Sequence, residues 1–352
     1  MMEQDVFKGR GSRINPKNPY LKREEVVQHV EGIDEEKYLE KPATKYYTEN
    51  LVNALSKNNS PDLPLNYSAN PYQGCEHGCI YCYARNSHQY WGFDAGLGFE
   101  TNIVVKHNIA DVLKKQFLKK KYLPQPIMLS GNTDCYQPAE KKFELTRKIL
   151  ELCLQVGHPV SIITKNSLIQ RDQDLLIKLA QKKLVHVYFS INHLDNKLRS
   201  VLEPRTATAA KKLALIRQFS EAGIPCGIMV APIIPGLNSN DIAKIIELAA
   251  GAGALRAGYT VVRLNGSIKE VFTDWIHLNF PDRAEKVLHQ IEEMHGGKVN
   301  DTTWGRRIKG EGPIAGMIQQ VFNVSVAKHL KGRKMPEFDR SAFMPTGQTK
   351  LF

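Results

Sequence analysis

The sequence predicts an α/β fold: a parallel sheet, either open or closed into a partial barrel, with N- and C-terminal extensions. Three observations predict it. From about residue 66, short β-branched runs alternate with amphipathic helical stretches. Repeated β–α units imply right-handed crossovers and therefore parallel strands. The polar residues of the array fall at the ends of the strands, where α/β sheets and barrels bind ligands.

The elements follow in order. Residues 1–64 read as an extension, partly irregular, with dense mixed charge and one helix around Lys22–His29. Its GRGSR segment reads as a flexible tail, with phosphate binding as the alternative. Residues 65–296 form the β/α domain, with strands at Asn66–Pro71, Pro126–Ser130, Val160–Thr164, Val185–Ile191, Cys226–Val230 and Tyr259–Leu264. Helices are expected at Ile109–Lys120, Phe143–Gln155, Gln173–Gln181, Ala207–Ala222 and Ser239–Ala252. Leu145, Ile149, Leu152 and Cys153 share one helix face, so Cys153 is assigned to the core, as is Cys226 within its strand. Residues 297–352 form a basic extension containing a helix in IQQVFNVSVAKHL. Its last stretch is irregular and either packs on the surface or covers the barrel mouth.

Composition is that of a soluble globular protein, 42% hydrophobic and 24% charged, with no run of 18 or more apolar residues and no apolar N-terminal leader. No membrane partner is expected, and the expected location is the cytoplasm, where clustered cysteines favour metals over disulfides. The formal charge is +12: residues 1–64 carry about −1, residues 65–296 about +7 and residues 297–352 about +6. This excess suits a polyanion such as nucleic acid or a solvated lysine-rich surface.

Cys75, Cys79 and Cys82 form a C-x3-C-x2-C triplet directly after the first strand. Thiolates so grouped bind a soft metal centre, zinc or an iron–sulfur cluster. A closed zinc site needs a fourth ligand, for which His77 and His88 are the candidates, and would make the protein a non-catalytic, zinc-stabilised nucleic-acid-binding module. Three cysteines on a [4Fe–4S] cluster instead leave one iron open. Tyr81 just before the last cysteine, and the site's place in the array, favour the cluster.

These residues resemble the radical S-adenosylmethionine (SAM) superfamily, and within it spore photoproduct lyase and proteins labelled DNA repair photolyases. The resemblance covers roughly residues 66–264 and rests on CEHGCIYCYAR, GNTD, ITKN, FSIN with LEPRTA, and GIMVAPIIPGLN. It implies a partial (β/α)6 barrel, a [4Fe–4S] cluster on Cys75, Cys79 and Cys82, and SAM on the open iron. Reductive cleavage of SAM would give a 5′-deoxyadenosyl radical that abstracts hydrogen from a substrate. Nucleic acid is the leading substrate class, for repair or modification; a small molecule or protein side chain is the alternative. The electron would come from a flavodoxin- or ferredoxin-type donor.

The resemblance also implies roles for single residues. Tyr81 would lie close to the cluster and offer backbone contact to the adenine. Thr133 and Asp134 would face the methionyl end of SAM, with Lys165 set for its carboxylate. Ser190 and Asn192 would lie near the ribose and carboxylate, and Ala231 along the adenine. Tyr83 matches a hydrogen-relaying tyrosine. Where the lyase has a cysteine donor just before its Ser/Thr-Asp pair, this chain has Gly131, and Cys135 follows Asp134 instead. That departure argues against thymine-dimer reversal and leaves Cys135 as a candidate rim thiol. Oligomeric state is not legible.

Overall fold

The computed structural model describes residues 7–21, 42–62 and 66–344. The helix expected around Lys22–His29 lies outside them. Among the described residues the strands are β1 (Lys45–Thr48), β2 (Ser56–Lys57), β3 (Tyr67–Ala69), β4 (Tyr72–Gln73), β5 (Asn102–Val105), β6 (Ile127–Leu129), β7 (Val160–Thr164), β8 (Val185–Ser190), β9 (Cys226–Ile233) and β10 (Arg256–Val261).

The main sheet runs β10-β9-β8-β7-β6-β3-β2. Every neighbouring pair from β3 to β10 is parallel, and β2 closes the edge antiparallel to β3. The six parallel strands therefore follow one another in chain order with no reversal. Right-handed crossovers between strands so ordered put all connecting helices on one face, and the sheet curls around its other face. An open doubly wound sheet would need a switch in strand order. The fold is thus the partial (β/α)6 barrel rather than the open alternative. Ile162, Val187, Phe189 and Ile228 have no exposed surface, as expected for parallel strands covered on both faces.

The long periodic segments form the expected elements. The helix Leu145–Val156 buries Leu145, Ile149, Leu152 and Cys153, and Cys226 is also buried in the core. The helix Gln173–Gln181 matches its expected bounds. Thr208 caps the helix Ala209–Glu221 by accepting from Lys211 N at 3.2 Å. Two further helices, Ile268–Asn279 and Ala284–Met294, pack Phe272, Trp275, Val287 and Ile291 into a second apolar cluster with Ile80, Leu202 and Ile234.

The N-terminal extension is more ordered than its sequence reading, and the C-terminal one forms its expected helix and packs on the surface. A small sheet, β1-β5-β4, joins β1 of the N-terminal region to strands flanking the cysteine loop. Residues 299–308 run beside the carboxyl end of β10, through Leu264 N to Val299 O and Val261 N to Ile308 O, both 2.9 Å. The helix Gly312–His329 then packs on the helix Ile242–Gly251. The final described residues do not cover the barrel mouth. His186 Nε2 lies 2.8 Å from Pro336 O, Asp339 N donates to Lys183 O, and Met344 N donates to Val156 O. Those partners lie at the amino ends of β7 and β8, so the tail closes the opposite end of the barrel. No helix among the described residues is long and apolar enough to cross a membrane.

Candidate active site

Parallel strands bring their carboxyl ends to one rim, and the residues after β3, β6, β7, β8 and β9 converge there. The cysteine loop follows β3 and β4. Cys75 N donates to Phe99 O at 2.9 Å, which fixes the loop's start against the helix Leu97–Thr101. Gly78 has a φ of +68°, and a Cβ there would come within 2.8 Å of Glu100 Oε2, so the turn between the first two cysteines requires glycine. Cys75 and Cys79 are buried, Cys82 is partly so, and all three are free thiols. Cys82 packs against both the apolar cluster that contains Cys75 and the one that contains Cys79.

Burial pushes all three thiols upward. The negative charge of Asp134 and then of Cys82 adds to this at Cys75, and that of Glu203 at Cys79. Burial thus favours the neutral thiols, and a cationic centre would be needed to stabilise the thiolates. Of the two imidazoles considered as a fourth ligand, His77 is already engaged. His77 Nε2 is 2.9 Å from Asn166 Nδ2 and its Nδ1 is 3.5 Å from Asp134 Oδ2; burial lowers its pKa to about 4. His88 is held by its ring faces, stacked on Phe93 at 4.9 Å and against the edge of Phe99 at 5.5 Å, and both its ring nitrogens are buried without a hydrogen-bond partner. Among the described residues no three His, Cys, Asp or Glu side chains form a group that could hold a metal ion. Zinc needs ligands drawn in to about 2.3 Å of one centre, whereas a four-iron cube meets its thiolates at separate irons.

The opposite wall comes from β6 to β9. Asp134 accepts from Thr164 Oγ1 and Lys165 N, both at 2.8 Å, and from Tyr136 N. It thus ties the β6 loop to the end of β7. Thr133 Oγ1 donates to Tyr72 O at 2.8 Å and binds the same loop to β4. Lys165 Nζ lies 3.1 Å from Ser190 Oγ and 6.0 Å from the centre of the Tyr81 ring. Ser190 Oγ donates to Ala231 O at 3.1 Å, and a cis bond joins Ala231 to Pro232. Asn192 Nδ2 donates to Pro232 O at 3.3 Å, while its Oδ1 is buried without a partner. That orphaned acceptor marks where a donor group of a ligand fits.

Tyr83 and Cys135 are not brought together. Tyr83 is half exposed, its hydroxyl 2.5 Å from Gly131 O. Cys135 has no exposed surface and belongs to the main core, with Thr146 donating to its carbonyl. The turn set by Ser130, whose Oγ accepts from Cys135 N at 2.7 Å, draws the thiol inward. The candidate rim thiol is therefore a core cysteine in this structure.

Two residues of the site escape a sequence reading. Glu203, from the LEPRTA segment, accepts from the Tyr81 hydroxyl and from Thr206 Oγ1. Lys212 has no exposed surface and donates to Ser190 O at 2.8 Å. Burial raises the Glu203 carboxyl and lowers the Lys212 ammonium, and each charge offsets the other's cost. Glu203 sat in a quoted segment, but Lys212 reads as one more surface lysine of an amphipathic helix.

The chain matches the Radical SAM superfamily over residues 69–249. It belongs to that superfamily. An uncharacterized protein of Mycobacterium tuberculosis is 36% identical over 65% of this chain and 68% of its own length. One from Methanocaldococcus jannaschii is 29% identical over 64% of this chain and 80% of its own. Among solved structures, spore photoproduct lyase complexed with dinucleoside spore photoproduct superposes with a TM-score of 0.61 at 18% identity, covering 86% of each chain. A mutant of that lyase with bound SAM and the same photoproduct gives 0.60 at 17% identity, over 84% of this chain and 82% of the other. The radical SAM chain described here is an enzyme, and its fold is that of the lyase.

Proposed function

We propose that this radical SAM enzyme binds a [4Fe–4S] cluster through Cys75, Cys79 and Cys82 and SAM against the wall formed by Lys165, Ser190 and Asn192. The observation that carries the reading is a set of three free thiols, Cys75 and Cys79 buried and Cys82 partly so, beside a lysine-and-amide wall whose buried Asn192 acceptor lacks a partner. A cluster held by Cys75, Cys79 and Cys82 would supply the single-electron chemistry that reductive cleavage of SAM and hydrogen abstraction from substrate require. The chain's own residues bind and orient. Lys165 offers a cation to the SAM carboxylate, and Ala231 and Tyr81 line the adenine. Asp134 and Thr133 hold the β6 and β7 ends in register, and their oxygens keep lone pairs that can face the methionyl end of SAM. Tyr83 stands at the rim, where its hydroxyl can pass hydrogen between cofactor and substrate.

The proposed substrate class is nucleic acid, for repair or modification, with the electron from a flavodoxin- or ferredoxin-type donor. Arg263 lies near Tyr83 and Arg307; Arg307 is paired with Asp62 at 2.7 Å, and its guanidinium lies 3.9 Å from the ring centre of the exposed Trp304. A basic and aromatic edge thus borders the rim, as stacking of bases on a cationic surface requires. The lyase of like fold was solved with a dinucleoside photoproduct. The test is anaerobic incubation with SAM and reductant, with or without single- and double-stranded oligonucleotides. Nucleic acid should raise the yield of 5′-deoxyadenosine. A rise only with small-molecule or protein fractions would move the substrate class to those.

A further inference from the structure

The GRGSR segment, expected to be a flexible tail, lies across the cysteine loop. Glu100 has no exposed surface and accepts from Gly11 N and Ser12 N, both at 2.9 Å, and from Arg85 at 2.6 Å. Arg85, also fully buried, donates onward to Cys79 O at 3.0 Å and Gly78 O at 3.3 Å. Arg10 reaches Glu100 O at 2.7 Å. The backbones of strap and loop touch: a Cβ on Gly11 would stand 1.9 Å from Gly78 O. Both ends of the strap are fastened, by Arg205 Nε to Gly9 O at 3.0 Å and by the two-pronged Arg13–Asp274 pair at 2.8 and 2.9 Å.

We infer that residues 9–13 are a positioning strap, which holds the Cys75–Cys82 loop in its cluster-ready shape and shields its thiols. The physical basis is that a loop opens locally with a free energy set by its own anchors, independently of the rest of the fold. Here the anchors converge on Glu100 and Arg85, and Arg85 holds the carbonyls of Gly78 and Cys79. The inference extends the cluster-binding reading to a segment outside the superfamily match of residues 69–249, and it rests on that reading only for its iron-loaded arm.

The test measures alkylation of each cysteine by iodoacetamide, resolved by mass spectrometry, in the folded metal-free full chain. Gly11→Ala pushes the strap off Gly78, and Arg13→Ala frees its end without adding an atom. Each should speed alkylation of Cys75, Cys79 and Cys82 by about tenfold, with Cys153 and Cys226 unchanged. In iron-loaded protein the same variants should lose iron to a ferrous chelator faster by a similar factor. Unchanged rates at the three cysteines, or an equal rise at all five, would overturn the inference. Failure of the wild type to take up iron would refute the cluster reading instead, and the alkylation arm would still decide the strap.

Discussion

The Tyr81 hydroxyl donates to Oε1 of Glu203, a fully buried carboxylate whose charge is offset by the equally buried Lys212. Tyr81 sits directly before Cys82, and Lys212 holds the backbone carbonyl of Ser190. One buried pair therefore connects the cysteine loop to the wall proposed for SAM. Glu203→Gln keeps the shape but leaves Lys212 without a counter-charge. It should lower unfolding free energy by about 3 kcal/mol, read from the denaturant midpoint. Tyr81→Phe removes one donor to a buried oxygen and should cost about 1–2 kcal/mol. Unchanged midpoints in both would show that the pair is not stabilising.

Arg85 and Glu100 form a second buried pair, 2.6 Å apart, with no exposed surface on either side chain. Arg85→Ala strands the Glu100 carboxylate and should destabilise by about 3–5 kcal/mol. Arg85→Lys should recover only part of this, because a point cation cannot reach the carbonyls of Cys79, Ala95 and Gly96 together. Equal stability of the lysine variant and wild type in a thermal melt would contradict this geometry.

Cys135→Ala separates a core thiol from a reacting one. The residue is enclosed among Tyr72, Leu129 and other members of the main core, so its truncation should cost about 1–2 kcal/mol of stability and leave 5′-deoxyadenosine yield intact. Loss of product formation at unchanged stability would restore it as a hydrogen donor.

Acid should unfold the protein through its buried imidazoles. Burial depresses His88 and His158 to about 4 and His193 to about 3, from an ordinary value of 6.5. Each is held neutral in the fold, so the unfolded chain binds more protons across that window. Their contribution is fully present above about pH 6.5 and is lost as pH falls through about pH 4. Thermal midpoints should drop steadily across this range, and His88→Leu should flatten the drop. A pH-independent midpoint would contradict the burial of these rings.

The barrel was legible because its strands and helices are long enough for their periodicity to show. Gln173–Gln181 and Val160–Thr164 match their expected bounds, since each buries a continuous apolar face. Open sheet and partial barrel could not be separated by periodicity, because strand order is set by tertiary pairing. β2 and β4 have two residues each, too short for any pattern. The cysteine triplet was legible as spacing. Spacing alone does not assign Thr133 and Asp134, because whether a strand-end hydroxyl or carboxylate faces a ligand or caps a loop depends on neighbours such as Tyr72 and Thr164. The strap was not legible because the backbone donors of Gly11 and Ser12 and the side chains of Arg10 and Arg13 meet partners far off in sequence, Glu100 and Asp274.

The central claim is that three thiols hold a cluster that cleaves SAM. Its most direct test is 5′-deoxyadenosine formation by anaerobically reconstituted protein with SAM and dithionite, measured beside iron content. Wild type should carry about four iron atoms per chain and release 5′-deoxyadenosine, and Cys75→Ala, Cys79→Ala and Cys82→Ala should each abolish that release. Colourless protein with stoichiometric zinc and no iron, or undiminished 5′-deoxyadenosine from any of the three variants, would contradict the account.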